Sequence, residues 1–122
     1  MTILIADDAA FMRMRLRKLL EEAGYQVVEA ANGQEAVEQY QAQHPAAVLM
    51  DITMPEMDGV AATRTICQAD PKARVIMVSA LGQQAMIVSA IQAGAKDFVV
   101  KPYEPERVLG ALTKWAGPPT TD

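Results

Sequence analysis

The sequence predicts one α/β domain: a doubly wound, five-stranded parallel sheet in strand order 2-1-3-4-5, with five helices on its two faces. Two observations carry that expectation. Short apolar runs without a polar break, such as Ile3-Leu4-Ile5-Ala6 and Ala46-Ala47-Val48-Leu49-Met50, suit strands covered on both faces, as those of a parallel sheet are. Between the runs lie stretches with helical spacing, so strand and helix alternate five times, which calls for crossover helices on both sides of a sheet. Right-handed crossovers leave few topologies, and 2-1-3-4-5 is the common order that fits.

Ile3 to Ala6 forms the first strand. The helix after it carries Met12, Leu16, Leu19, Leu20 and Ala23 on one face and Arg13, Arg17, Lys18, Glu21 and Glu22 on the wet side, with Gly24 as a left-handed cap. Tyr25 to Glu29 alternates only in part and suits an edge strand. The second helix opens after Asn32-Gly33, turns Ala36, Val37 and Tyr40 inward and stops before His44-Pro45. The third strand, Ala46 to Met50, leads through Asp51 and the turn residues Pro55 and Gly59 into a helix from about Gly59 to Ala69, closed by Asp70-Pro71. Val75 to Val78 is the fourth strand, and the helix after it is expected to bury a stripe around Ala85, Val88 and Ile91 and to end at Gly94. Phe98 to Val100 is the fifth. The last helix begins near Glu104-Pro105-Glu106, with acids at the positive end of the helix dipole and Pro in the first turn, and buries Val108, Leu112 and Trp115. Residues 1-117 form the predicted domain and 118-122 a short flexible tail.

With 122 residues the chain has room for one sizeable core and not for two. Apolar residues make up 51% and charged ones 21%, a globular balance. No apolar run approaches the ~20 residues of a membrane span, and the first residues lack the basic start and long apolar middle of a signal peptide, so a cytoplasmic protein is expected. Cys67 is a single cysteine in a helical stretch and reads as a small buried hydrophobe. The net charge of -4 and the scattered basic residues argue against direct nucleic-acid binding. Most methionines, Met12, Met50 and Met77 among them, fall on core positions.

The residues that follow the strands are the informative ones. Asp7 and Asp8 follow the first, Asp51 the third, Ser79 the fourth and Lys101 the fifth. Taken alone, Asp51 would as readily cap a turn, and one of Asp7 and Asp8 is expected to cap the helix that starts near Ala9. In a parallel sheet, however, all of these positions share the carboxyl edge, where ligands bind. Three carboxylates crowded together relieve their repulsion by binding a cation or a proton, and oxygen ligands with room for water suit Mg²⁺. One carboxylate can act as a nucleophile toward phosphorus, with Lys101 and Ser79 holding the remaining phosphoryl oxygens. The set fits phosphoryl transfer. Lys101 precedes Pro102, a placement that fixes its direction and predicts a cis bond in a tight turn.

These residues resemble the motif of response regulator receiver domains, position by position: Asp7-Asp8, Asp51, Ser79 and Lys101-Pro102, with Met54-Pro55 and Gly59 in the loop after the acceptor. The likeness covers essentially the whole chain. It is strongest to the stand-alone chemotaxis members of this flavodoxin-like family, through Ala9 to Met14, Asp51 to Met57 and Gly82 to Met86.

The resemblance implies that Asp51 accepts a phosphoryl group from a phosphohistidine on a sensor histidine kinase, and that the protein is a signalling receiver rather than an enzyme. It implies Mg²⁺, replaceable by Mn²⁺, bound by Asp8, Asp51 and the Thr53 carbonyl, with Asp7 acting through a water or by orienting Asp8. Ser79 and Phe98 would be the switch pair, and Thr53 and Leu81 would tune the lifetime of the phosphorylated state. A monomer is expected. Its output partner, such as a flagellar motor switch protein, and a phosphatase would engage the face of the fourth helix, fifth strand and fifth helix, where Met86, Ile87, Phe98 and Tyr103 are surface candidates. Ser79 stands where the family often has threonine, which keeps the hydroxyl; Phe98 lacks the phenolic group of the best-known chemotaxis member.

Three other functions fit parts of the pattern. A receiver can act as a phosphate sink or relay. A Mg²⁺-dependent phosphatase with an aspartate nucleophile needs similar groups, but the haloacid dehalogenase type places a second Asp two residues after the nucleophile, where this chain has Thr53. A flavin binder on the same topology would meet repulsion between its phosphate and Asp7-Asp8.

Overall fold

The computed structural model describes residues 1–119. Its elements alternate without exception: β1 (Thr2–Ala6), α1 (Ala10–Glu22), β2 (Gln26–Ala30), α2 (Gly33–Gln43), β3 (Ala47–Met50), α3 (Gly59–Ala69), β4 (Val75–Ser79), α4 (Gln84–Ala93), β5 (Asp97–Val100) and α5 (Pro105–Ala116). All strand pairs are parallel, in the predicted order β2-β1-β3-β4-β5.

The unbroken apolar runs have their expected cause. Side chains alternate between the two faces of a strand, and here both faces are covered. Leu4, Ala6, Val48, Met50, Val75 and Met77 pack with Ala36, Val37 and Tyr40 of α2, Ala62 and Ile66 of α3 and Ala90 of α4. Ile3, Ile5, Leu49, Ile76, Val78 and Val99 pack with Leu16 and Leu20 of α1 and Val108, Ala111 and Leu112 of α5. The edge strand β2 is the least buried of the first four, which accounts for its weaker pattern.

Capping follows local chemistry. Asn32 accepts from the Glu35 amide at 2.8 Å while Glu35 reaches back to the Ala31 amide at 3.1 Å, and Asp58 accepts from the Ala61 amide at 2.8 Å. The cap expected of Asp7 or Asp8 on α1 is not made. The N-cap is Ala9, whose methyl group offers no acceptor, and Asp7 Oδ1 accepts instead from the Ala9 amide at 2.9 Å and closes a local turn.

The buried stripe of α4 also differs from expectation. Ala90 and Ala93 are buried, whereas Val88 is 44% and Ile91 48% exposed. This helix is apolar around most of its circumference, so spacing cannot select its inner face. Close approach selects it instead, and the small side chains face inward. Met12, too, is only half-buried, while Met50 and Met77 lie in the core. At the C-terminal end the Tyr25 hydroxyl donates to the Gly117 carbonyl at 3.1 Å, and Pro119 lies against Gly24; residues 120–122 of the predicted tail fall outside the described residues. No helix among the described residues is long and apolar enough to cross a membrane.

Candidate functional site

Register brings the strand ends together. Ala6 pairs with Met50, Met50 with Met77, and Ser79 with Val100, so the next residues along β1, β3 and β5 leave the sheet on one edge. The chain departs in opposite directions from β1 and β3, which opens a crevice at that switch point. Backbone bonds continue past the strands: Asp51 N–H donates to Ala6 C=O at 2.9 Å, Asp7 N–H to Ala30 C=O at 3.1 Å, and Lys101 N–H to Ser79 C=O at 2.9 Å.

Asp7, Asp8 and Asp51 meet there, each offering a carboxylate oxygen within 4.8 Å of the others. Lys101 Nζ lies between them, 3.0 Å from Asp7 Oδ2 and 3.6 Å from Asp51 Oδ2. The three acids are not equivalent: Asp7 is 3% exposed, Asp51 is half-buried and Asp8 is open to solvent. Burial raises the Asp51 carboxyl above its ordinary value, Lys101 opposes that rise, and the charges of Asp7 and Asp8 add to it. Asp51 Oδ1 accepts from the Ile52 amide at 2.8 Å, which leaves Oδ2 facing the lysine. One ammonium among three carboxylates leaves a local excess of negative charge. Hard oxygen donors at this spacing fit a divalent cation, the charge that would relieve the excess.

The loop after Asp51 is held by a close approach. A Cβ on Gly59 would stand 1.8 Å from the Asp51 carbonyl oxygen, and Gly59 N–H donates to Ile52 C=O at 2.8 Å. Gly59 is therefore required by contact rather than by its dihedral angles. Thr53 lies exposed on that loop. Ser79 is 1% exposed, and its hydroxyl oxygen accepts from the Leu81 amide at 3.1 Å. Phe98 and Leu81 are half-buried against the core cluster beneath α4. The Lys101-Pro102 bond is cis, as predicted.

Some residues around the site were not singled out as site residues by sequence pattern. Arg15 and Ala80 join Met12, Lys101, Pro102 and Tyr103 in lining a cleft of about 360 Å³ beside the lysine. Arg13, assigned to the wet face of α1, instead reaches the Asp7 carbonyl at 2.6 Å and the Glu29 carboxylate at 2.9 Å. Its one sequence signal is electrostatic: a cation near the N-terminal end of a helix that has no acid in its first turn runs against the helix dipole.

Comparison with known proteins points the same way as the geometry. A family model described as "Response regulator receiver domain" matches residues 3–113. The chain is 58% identical over 113 residues to the chemotaxis protein CheY of Thermotoga maritima, covering 92% of this chain and 94% of that protein. CheY in a CheX-CheY-BeF3-Mg+2 complex from Borrelia burgdorferi superposes with a TM-score of 0.88 at 37% identity, over 93% of this chain and 87% of the other. The receiver domain of the sensor histidine kinase PA1611 from Pseudomonas aeruginosa, solved with a magnesium ion coordinated in its active site cleft, gives 0.88 at 30% identity, over 95% and 97%. On this fold, this match and this set of strand-end groups, the chain belongs to the response regulator receiver domain family, as a CheY-type receiver with an acidic Asp7–Asp8–Asp51 site.

Proposed function

We propose that this receiver takes a phosphoryl group on Asp51 from the phosphohistidine of a sensor kinase, with Mg²⁺ or Mn²⁺ present, and that it serves chemotaxis in the cytoplasm. One observation carries the site assignment: Lys101 Nζ and three carboxylates share the carboxyl edge of a parallel sheet, with the ammonium within 3.6 Å of Asp51. The chemotaxis role is supported by likeness to CheY over 94% of that protein's length.

Asp8, Asp51 and the Thr53 carbonyl would hold the cation, with Asp7 orienting them. When bound, the divalent cation supplies positive charge to the transferring phosphoryl oxygens. A carboxylate oxygen of Asp51 attacks phosphorus, a P–O bond forms as the P–N bond breaks, and the imidazole leaves with a proton. Lys101 moves its ammonium from the carboxylates to the phosphoryl group, and Ser79 exchanges its loop contact for a hydrogen bond to a phosphoryl oxygen. Phe98 then turns into the space that Ser79 releases. Thr53 and Leu81 flank the path of the water that later hydrolyses the acyl phosphate.

Output follows from differential contacts in the two states. Val88 and Ile91 on α4 and Val100 on β5 are 44%, 48% and 44% exposed. Apolar side chains left in water on adjoining elements support the α4-β5-α5 face as the docking surface for an output partner, such as a flagellar motor switch protein, and for a phosphatase. Incubation with a small acyl phosphate and Mg²⁺ tests the reading. Wild-type protein should be labelled and Asp51→Asn should not; full labelling of the variant would overturn the assignment. A pull-down with and without beryllofluoride then identifies the partner gained in the phosphorylated state.

A further inference from the structure

Glu29 stands on the edge strand β2, and its two carboxylate oxygens are shared between two arginines of α1. Oε1 accepts from Arg13 Nε at 2.9 Å and Oε2 from Arg17 Nε at 2.7 Å. Arg17 spends its other donors on Glu21 and the Val27 carbonyl. Arg13 does something different: its Nη1 donates to the backbone carbonyl of Asp7 at 2.6 Å. Meanwhile the Asp7 amide donates to Ala30 C=O at 3.1 Å, one residue past Glu29. The end of β2 therefore grips Asp7 twice, directly through Ala30 and indirectly through Glu29 and the Arg13 fork.

The Asp7 carbonyl and the Asp8 amide belong to one rigid peptide plane. Fixing the carbonyl fixes the plane, and with it the position of the Asp8 Cα from which the carboxylate is carried. Asp8 itself is exposed. The arginine is well placed to impose that order, since its side chain is 18% exposed and its planar donors are already oriented by Glu29. Its charge opposes the dipole of α1, a cost that a generic solvated residue would not incur.

We propose that Arg13 is a positioning residue for the acidic site: held by Glu29, it orients the Asp7–Asp8 peptide so that the two carboxylates and Asp51 bind a divalent cation as a set. This rests on the assignment of Asp7, Asp8 and Asp51 as the cation site. Charge and position make opposite predictions. Removing a cation near three carboxylates should tighten metal binding if charge is what Arg13 contributes, and loosening the peptide plane should weaken it.

The test is Mn²⁺ affinity of the full chain, read from the electron paramagnetic resonance signal of free Mn²⁺, with urea unfolding measured in parallel. Arg13→Met and Arg13→Lys should each weaken Mn²⁺ binding about tenfold, in line with the loss of a group that orients metal ligands. Arg17→Met, which gives up contacts to Glu29 but none to Asp7, should change it less than about twofold. If Arg13→Met does not fold, Arg13→Lys carries the test, because it keeps the charge and loses the fork. Unchanged or tighter binding in Arg13→Lys would overturn the proposal, as would an equal loss in Arg17→Met. A wild-type chain that bound no Mn²⁺ would remove the cation-site assignment itself, and the proposal with it.

Discussion

Gly59→Ala is a small change with a large expected effect. The added methyl would lie 1.8 Å from the Asp51 carbonyl oxygen, 2.8 Å from its carbon and 2.9 Å from Ile52 Cα, all backbone atoms. To bring the closest contact beyond 3.0 Å the first turn of α3 must shift by at least about 1.2 Å relative to the end of β3. That shift stretches the Gly59 N–H to Ile52 C=O bond, now 2.8 Å, and disturbs the Thr63 hydroxyl bond to the Gly59 carbonyl at 2.7 Å. Helix propensity favours alanine by at most ~1 kcal/mol in an interior and by less at the first helical residue. Overpacking against backbone costs ~1–3 kcal/mol and a weakened hydrogen bond about 1 more. The clash should therefore win, with a net loss of roughly 1–3 kcal/mol. Urea unfolding followed by circular dichroism reads this as a lower midpoint at unchanged slope. Acyl-phosphate labelling of the folded variant should also slow, because the displaced backbone is that of the acceptor. A midpoint equal to or above that of wild type would refute the reasoning.

Lys101→Ala should separate two roles of one charge: Mn²⁺ binds more tightly, because the competing ammonium is gone, while labelling by acyl phosphate slows by about 10²-fold for want of a donor to the phosphoryl oxygens. Weaker Mn²⁺ binding would contradict the first part, and undiminished labelling the second. Asp97 is pushed up by burial but held below the usual carboxylate range by donors from Arg107 at 3.1 Å, the Phe98 amide at 2.8 Å and the Trp115 indole at 3.2 Å. A carboxyl whose folded value lies below its unfolded one stabilises the fold above the unfolded value, about 4, and loses that contribution as pH falls through the lower folded value. Asp97→Asn should therefore cost about 1 kcal/mol at pH 7, kept small by the exposure of Arg107, with the gap to wild type closing below about pH 4. A gap that stayed constant from pH 7 to 3 would count against it.

The sequence by itself determined the element types, their order and the identities of the strand-end groups, because these follow from short-range rules. Strands buried on both faces must be apolar throughout, a residue before proline stays extended, and residues just past parallel strands share an edge. Asp7, Asp8, Asp51, Ser79 and Lys101 were legible for that reason, even though 94 residues separate Asp7 from Lys101. The tertiary structure decided what depends on distance and on the choice among equivalent faces. It set α4 with Ala90 and Ala93 inward, since a helix apolar on most sides has no preferred stripe until its neighbours limit the approach. It made unequal acids of Asp7 and Asp8, burying the first against Lys101 and leaving the second in water. It also turned Arg13 from a solvated helix residue into a bond between β2 and the Asp7 carbonyl. Periodicity records which side of an element is apolar. Whether a polar side chain is spent on solvent or on a carboxylate sixteen residues away in another element depends on how the elements pack.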